Sequence, residues 1–217
     1  PLNRNIPTTI KISGSLKGAK KGDWVKLRLL DSGSKYTESL RGAVEEPLEK
    51  AGTVYGDLLA VAREFDMPGP YSPEFETYAA KLQPSATVRR EDLSNLFTVT
   101  IDPKDAKDFD DALSIEDGDK EWKIGVHIAD VAAYVRPGTK LDREARRRAF
   151  SSYIPGMFRP MLPRPLTQKI SLRQEADSLA HTVLLTVRKR DGAITSARRT
   201  FSLIRVNRRL NYDEVQE

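Results

Sequence analysis

The first 50 residues alternate apolar and polar positions in short runs that are separated by glycine-rich turns. The runs TTIKISGSL, WVKLRLL and LRGAVEE share this two-residue period, which is typical of strands with one buried face. Three or four short strands with glycine turns predict a small β-barrel fragment that is too short to close alone. We therefore expect residues 1–50 to form a partial, OB-like barrel domain.

From residue 51 the apolar positions change to the spacing of a helix. One set with this spacing consists of Val54, Leu58, Leu59, Ala62 and Phe65, and the MPGP segment ends this first helix. Ser72 is a suitable N-cap for a second helix, with Pro73 at its first position. Residues 51–95 are therefore predicted to be a helical connector between two domains.

Strands and helices mix over residues 96–217. The runs FTVTI, ALSI and KIGVHIADV predict strands, and KLDREARRRAF predicts a helix that carries its arginines on an exposed face. A long hairpin is predicted to turn at the Asp-Gly pair that begins with Asp191. The predicted fold class is therefore α+β, with a partial β-barrel, a helical connector and a mixed α/β domain.

Composition limits the chemistry that this chain can perform. It contains no cysteine and two histidines, so disulfides and thiolate metal sites are excluded and a zinc site built on imidazoles is a poor fit. His127 lies among apolar residues and is predicted to be a structural core histidine.

No apolar run approaches the roughly 20 residues of a membrane span. We expect no membrane partner and a cytoplasmic location, and any bound metal should be a hard cation held by oxygen.

Charge is distributed unevenly along the chain, although the net charge is only +5. Residues 41–80 contain eight acidic and three basic side chains, whereas residues 131–173 contain ten basic and two acidic ones. A second basic stretch runs from Arg188 to Arg209. A solvated helix face is the ordinary explanation of one such run. Two basic stretches that follow an aspartate cluster favour a surface that binds a polyanion.

The segment TIDPKDAKDFDDALSI concentrates negative charge next to apolar strands. Five aspartates occupy ten positions, namely Asp102, Asp105, Asp108, Asp110 and Asp111. Asp105 lies between Lys104 and Lys107 and fits an ordinary solvated loop. The other four would repel one another unless one were protonated or a divalent cation were bound. Mg²⁺ prefers carboxylate oxygens and is often completed by a substrate phosphate, whereas the glycine and glutamate of a calcium loop are missing. The spacing therefore favours a magnesium site.

Metal, phosphate and a basic flank together indicate one class of reaction. Two oxygen-bound cations about 3.5–4 Å apart can activate a water and stabilise the leaving oxygen of a phosphodiester. No serine or cysteine nucleophile with a neighbouring base is evident, and no glycine-rich phosphate loop is present. The pattern therefore predicts hydrolysis of a phosphodiester.

Three long motifs resemble a known family. TIDPKDAKDFDDA, VHIADVAAYVRPGTKLDREARRRAFSSYIPG and PMLPRPLTQKISLR are similar to the opening of the catalytic domain in the ribonuclease II / ribonuclease R family. The likeness covers about residues 85–215. Residues 1–50 look like the later part of the cold-shock OB domain that precedes catalysis in this family. Residues 96–217 would then be the N-terminal part of a ribonuclease II-type catalytic domain.

The resemblance implies a processive 3′→5′ exoribonuclease that hydrolyses single-stranded RNA to nucleoside 5′-monophosphates with Mg²⁺, or with Mn²⁺ as a substitute. The four essential carboxylates of the family fall on Asp102, Asp108, Asp110 and Asp111, which are expected to be both catalytic and metal-binding. Asp102 and Asp111 are the preferred direct ligands, while the other two would complete a second metal site or orient the water. Tyr153, which by itself would be read as a packing residue, matches the aromatic that stacks on the 3′-terminal base.

The resemblance also implies RNA contacts and a missing partner. Arg146, Arg147 and Arg173 are expected to bind RNA. The catalytic domain of the family continues beyond this chain, so the remaining C-terminal part is an expected partner and the chain alone should be inactive or weak. Ser178 stands where the family usually has an arginine. The alternative is a non-catalytic RNA-binding or scaffold derivative, although retention of all four aspartates favours the enzyme.

Overall fold

The computed structural model describes residues 9–30 and 40–216 and divides the chain into two compact units. The first unit contains the described residues up to Pro70 together with Ser151–Arg159, and the second contains Tyr71–Phe150 and the described residues from Pro160 onward. Residues 1–8 and 31–39, which belong to the predicted barrel domain, and Glu217 lie outside the described residues. The predicted division at residues 50 and 95 stays a prediction.

The described residues form strands and helices along the whole chain, in agreement with the mixed α/β prediction. The strands are β1 (Ile10–Ile12), β2 (Asp23–Leu29), β3 (Leu40–Lys50), β4 (Glu91–Asp92), β5 (Thr98–Asp102), β6 (Asp111–Asp117), β7 (Glu121–Ala129), β8 (Ser152–Ile154), β9 (Met157–Arg159), β10 (Asp177–Arg188) and β11 (Ile194–Asn211). The helices are α1 (Val54–Glu64), α2 (Pro73–Ala80), α3 (Lys140–Arg148), α4 (Arg164–Ile170) and α5 (Tyr212–Gln216), and a 3₁₀ turn spans Val131–Ala133.

The first unit contains a three-stranded sheet, one helix and a short hairpin. In the sheet β3 lies between β1, which is parallel to it, and β2, which is antiparallel. Helix α1 begins after Thr53, whose hydroxyl accepts a hydrogen bond from the amide of Gly56. A Cβ at Gly56 would lie 2.2 Å from the Lys50 carbonyl oxygen, so only glycine allows this close approach. The sheet, as described, is not a closed barrel, and its OB-like character stays a prediction.

Two members of the predicted apolar set of α1 are exposed. Val54 is 79% exposed and Phe65 is 75% exposed, because they lie at the first position and just after the last position of the helix. The buried positions of α1 are the small residues Gly56, Ala60 and Ala62. Helical spacing therefore predicted the helix correctly, and of the predicted apolar set only Ala62 is among these buried residues.

The second unit is built around a six-stranded sheet in the order β10-β7-β6-β5-β11-β4. β11 pairs antiparallel with β10 through its first part and parallel with β5 through its last part. The strands from β5 to β7 are joined antiparallel. This arrangement brings the ends of β5, β6 and β11 together, which positions the aspartate motif. The core beside the sheet is formed by Ala79, Ala112, Ala129, Leu141, Leu166, Ile170, Leu172, Ala180, Ile204 and Val206.

His127 is a core histidine, as predicted. It is fully buried, with Nε2 2.9 Å from the Ser114 hydroxyl and Nδ1 2.8 Å from the Thr182 hydroxyl. The Thr182 hydroxyl lies 2.6 Å from that of Ser202, so four polar side chains form one buried chain of hydrogen bonds. Burial lowers the pKa of His127 to about 4. A Cβ at Gly125 would lie 2.4 Å from the Ser114 oxygen, so glycine makes room for this network.

Helix α3 begins after its N-cap Thr139, and the prediction that its arginines face solvent is wrong for Arg148. The Arg148 side chain is only 4% exposed. Its Nε donates to Glu144 at 2.8 Å, and its guanidinium carbon lies 3.6 Å from the centre of the Tyr71 ring. A carboxylate and an aromatic face compensate the loss of water around this cation.

Helices in the described part of the chain are all too short or too polar to cross a bilayer. The cytoplasmic location that the sequence suggested stays a prediction.

Candidate functional site: the aspartate loop

The four predicted site aspartates lie on one loop and on the strand ends that hold it. Asp102 is the last residue of β5 and Asp111 is the first residue of β6, while Asp108 and Asp110 lie in the intervening segment. We call residues 103–110 the aspartate loop. The parallel register places Asp102 opposite Asn211 of β11, and the antiparallel register places Asp111 opposite Ile128 of β7. Four neighbouring strands of the sheet, β5, β6, β7 and β11, therefore meet at the motif.

Backbone hydrogen bonds fix the second half of the aspartate loop. The Phe109 amide donates to the Ser171 hydroxyl at 2.7 Å, and the Leu172 amide donates to the Phe109 carbonyl at 2.8 Å. The Ala129 amide donates to the Asp110 carbonyl at 2.8 Å. These bonds tie the backbone of Phe109 and Asp110 to the segment after α4 and to the end of β7.

The first half of the aspartate loop is held by Arg209 of β11. Its Nη2 donates to the carbonyl oxygens of Pro103, Lys104 and Ala106 at 3.4, 3.0 and 3.2 Å. Its guanidinium carbon also lies 4.6 Å from the centre of the Phe109 ring. In the sequence, Arg209 is only the end of a basic stretch, and no local signal connects it with the aspartates.

Asp102 is half-buried, and one of its oxygens lacks a partner. Partial burial raises the pKa of Asp102 most, Asp111 and Asp110 raise it further, and Thr100 and Arg209 oppose the shift. Asp102 Oδ2 and Thr100 Oγ1 are both buried, and neither has a hydrogen-bond partner among the residues that the structure describes. A buried carboxylate oxygen without a donor is a suitable place for a cation.

Asp110 experiences the charges of its neighbours. Loss of solvent raises the pKa of Asp110, and the negative charges of Asp108 and Asp111 raise it further. Because the Asp110 side chain is exposed, repulsion by the neighbouring carboxylates, more than burial, accounts for this shift in pKa. Together with the effect of Asp111 on Asp102, this connects all four carboxylates in one region of negative potential.

The four aspartates supply suitable donor atoms for a cation, but their side chains do not form a complete coordination site among the described residues. In the described ranges, no group of three or more histidine, aspartate or glutamate side chains already has metal-binding geometry. The donors are carboxylate oxygens, which suit Mg²⁺ and Mn²⁺. The unpartnered Asp102 oxygen and the raised pKa values of two carboxyl groups fit a bound cation. The assignment of metal ligands stays a prediction. Asp105 is exposed, as expected for a solvated loop residue.

Tyr153 lies in the other unit, on the β8–β9 hairpin. It is 75% exposed and stacks on Phe158 across the hairpin, with ring centres 4.9 Å apart and planes at 30°. An exposed ring that is supported from behind by a second ring is well suited to stack on a base. This role stays a prediction.

Two of the three predicted RNA-binding arginines have acidic partners on their own helix. Arg146 Nε lies 3.1 Å from Asp142 Oδ1, and Arg147 makes two hydrogen bonds to Glu144 at 2.9 and 2.7 Å. Arg173 is exposed. Surface ion pairs contribute only about 0–1 kcal/mol, so a phosphate could replace these carboxylates at little cost. Contact of these arginines with RNA stays a prediction.

The aspartate loop and its strand ends gather carboxylate oxygens on one segment of the second unit, and such oxygens are the donors that a hard cation prefers. The family model of the RNB domain matches residues 90–217. Ribonuclease R of Chlamydia trachomatis is 41% identical over 167 residues, which cover 74% of this chain and 24% of that protein. The chain therefore belongs to the RNB-domain family, which confirms its resemblance to ribonucleases II and R. It spans about a quarter of this relative.

Solved structures show the same fold. A structure of Mycoplasma genitalium RNase R in complex with double-stranded RNA matches with a TM-score of 0.87 and 24% identity, over 96% of this chain and 38% of that chain. Yeast Ssd1, described as a pseudonuclease, matches with a TM-score of 0.69 and 17% identity, over 89% of this chain and 24% of that chain. At these identities the likeness concerns the fold alone.

Proposed function

We propose that this chain carries the metal-binding aspartates of a 3′→5′ exoribonuclease that hydrolyses single-stranded RNA to nucleoside 5′-monophosphates. One observation carries the proposal: the aspartate loop and its strand ends hold four mutually repelling carboxylates in a chain of the RNB-domain family. Uncompensated like charge is unfavourable, and a divalent cation is the simplest compensation.

The cation would be Mg²⁺, with Mn²⁺ as a substitute. When bound, it would supply activation of a water and stabilisation of the leaving oxygen of a phosphodiester. Asp102 and Asp111 are our candidates for direct ligands, because they lie at the fixed ends of β5 and β6. Asp108 and Asp110 would complete a second metal site or orient the water. A cation would also offset the negative charges of Asp108 and Asp111, which raise the pKa of Asp110 in addition to its burial.

RNA binding would combine stacking with phosphate contacts. The Tyr153 ring, supported by Phe158, would stack on a base and contribute roughly 1–3 kcal/mol. Arg146, Arg147 and Arg173 would bind phosphates, which makes affinity dependent on salt.

The whole activity would require more of the catalytic domain than this chain contains. The chain spans 24% of its Chlamydia trachomatis relative, and by the family pattern the phosphate-contacting arginine and a second aromatic lie in the missing part. Loss of one electrostatic contact of this kind commonly lowers the rate about 10²–10³-fold. The chain alone should therefore be inactive or very slow.

The test is a gel time course with the chain completed by the remaining part of an RNB catalytic domain. In Mg²⁺, RNA with a free 3′ end should be shortened to mononucleotides, and RNA with a blocked 3′ end should not. Asp110→Asn should abolish cleavage and leave RNA binding nearly intact. Asp105→Asn is the matched control, because it removes a charge from the same loop at an exposed position outside the four, and it should remain active. Equal loss in both variants would contradict the assignment.

A non-catalytic RNA-binding role is the second candidate. One finding is consistent with it: yeast Ssd1, which shares this fold, is described as a pseudonuclease. If the completed protein binds unblocked RNA in Mg²⁺ and never shortens it, this second role is correct.

A further inference from the structure

Arg209 makes four contacts with the aspartate loop, although it lies about 100 residues later in the chain. One nitrogen serves the carbonyls of Pro103, Lys104 and Ala106, and the guanidinium lies over the ring of Phe109. The carbonyl oxygens of this tight loop point towards the same place. A single donor that satisfies all of them must carry several hydrogens. A guanidinium provides these hydrogens together with a flat face for the ring.

The contacts join both halves of the loop. Pro103 and Lys104 follow directly after Asp102, whereas Phe109 lies between Asp108 and Asp110. A single side chain therefore bridges the segment after one predicted ligand and the segment that carries two others. The bonds of Phe109 to Ser171 and Leu172 fix only the second half. In the first half the Ala106 amide donates to the Pro103 carbonyl at 2.9 Å, and Arg209 contacts both this turn and Phe109.

A bulge in β11 decides which arginine reaches the loop. Val206 pairs with Thr98, but Arg208 pairs with Val99 and Arg209 with Thr100, so one extra residue lies between Val206 and Arg208 on β11. Without the bulge, Arg208 would lie opposite Thr100 and the two arginines would exchange faces. In the observed register Arg208 is exposed, and Arg209 lies two positions before the partner of Asp102.

The strand also holds Arg209 firmly. Its amide donates to Gln174 Oε1 at 3.2 Å, and its residue pairs in register with Thr100 of β5, which is 1% exposed. The side chain therefore starts from a backbone that is held by β5 on one side and by Gln174 on the other. A fixed base and a rigid fork of donors are what a positioning group requires.

We propose that Arg209 is a positioning residue that clamps the aspartate loop and thereby places the aspartates for the cation. The inference rests on the proposed function of the site. It assigns Arg209 no contact with RNA or with the reacting atoms, because its donors are directed at loop carbonyls.

The first test is hydrogen exchange of the 217-residue chain, measured by mass spectrometry without metal. Arg209→Met should accelerate exchange in residues 104–110 at least about tenfold, since hydrogen bonds from a charged donor are lost, and amides of β7 and β10 should stay protected. Arg209→Lys keeps the charge and some donors and should be intermediate. Arg208→Met is the matched control and should exchange like the parent. Circular dichroism of each variant confirms that it is folded.

The second test is Mn²⁺ binding, followed by water-proton relaxation. Removal of a positive charge near the carboxylates would by itself strengthen Mn²⁺ binding. The clamp predicts the opposite, a binding constant lowered severalfold in Arg209→Met, unchanged in Arg208→Met and partly recovered in Arg209→Lys. Unchanged or tighter binding in Arg209→Met would overturn the proposal, and so would exchange that accelerates equally throughout the sheet.

The two tests separate this proposal from the function of the site. If the parent chain does not bind Mn²⁺, or if Asp102→Asn does not weaken that binding, the proposed metal site is contradicted. The exchange experiment alone then tests whether Arg209 clamps the loop. If the parent binds Mn²⁺ at Asp102 and Arg209→Met leaves loop exchange unchanged, the metal site stands and the clamp is wrong.

Discussion

Acid should destabilise this protein through His127. The imidazole is fully buried between the Ser114 and Thr182 hydroxyls, and its pKa falls from 6.5 to about 4 in the folded chain. The unfolded chain therefore takes up this proton first as the pH falls. The resulting stability is fully present above pH 6.5 and is lost progressively between pH 6.5 and pH 4. The two pKa values of His127 differ by about 2.5, which corresponds to about 3 kcal/mol of unfolding free energy in total.

The assay is urea unfolding at a series of pH values, for the parent chain and for His127→Gln. The parent should lose about 2 kcal/mol between pH 6.5 and pH 5, a slope of about 1.4 kcal/mol per pH unit from one proton. Subtracting the curve of His127→Gln cancels the carboxyl groups that titrate in both proteins. The remaining difference should have this slope and this sign.

Imidazole NMR provides the independent check. The chain has two histidines, so His181→Gln leaves His127 as the only imidazole signal. That signal should keep the shift of a neutral ring down to about pH 5. A signal that titrates near pH 6.5 in the folded chain, or a difference curve without slope, would refute the reasoning.

Three further outcomes are expected. Gly125→Ala should lower the free energy of unfolding by about 1–3 kcal/mol, because its Cβ would lie 2.4 Å from the Ser114 oxygen. Gly69→Ala is the control in thermal melts, because there is open space around Gly69. If the two variants were equally stable, the close packing around Gly125 would be contradicted. Tyr153→Ala in the completed protein should weaken RNA binding by roughly 1–3 kcal/mol. The control is Tyr55→Ala on α1, where the tyrosine is 50% exposed, and it should leave RNA binding unchanged. Equal effects of the two substitutions would exclude Tyr153 from the RNA site. Binding of a single-stranded RNA should weaken steeply as salt increases, because basic side chains release counterions from phosphates; titrations that show no salt dependence would exclude this kind of contact.

Local signals in the sequence predicted the local elements. Ser72 caps α2 by accepting a hydrogen bond from the Phe75 amide, and the strands on either side of the Asp191 turn form the longest hairpin among the described residues. Each of these signals lies within a few residues of the element that it specifies. The parallel pairing of β11 with β5 and the bulge after Val206 involve segments about 100 residues apart, and no periodicity encodes them.

The same distinction holds at the site. The aspartates are close in sequence, so their repulsion could be anticipated before any fold was known. Arg209 could not be connected with them, because only the pairing of β11 with β5 brings it to the loop. The burial of Arg148 was missed for a similar reason, since it depends on Tyr71, which contacts it from a distant part of the chain.

The measurement that tests the central claim most directly is Mn²⁺ titration of the isotope-labelled chain, followed by NMR in the presence of a nucleoside 5′-monophosphate. Mn²⁺ broadens signals close to its site, so the account predicts that the amides of residues 102–111 broaden first. In the double variant Asp102→Asn, Asp110→Asn this selective broadening should disappear. Broadening that is centred elsewhere, or that persists unchanged in the double variant, would contradict a cation site at the four aspartates.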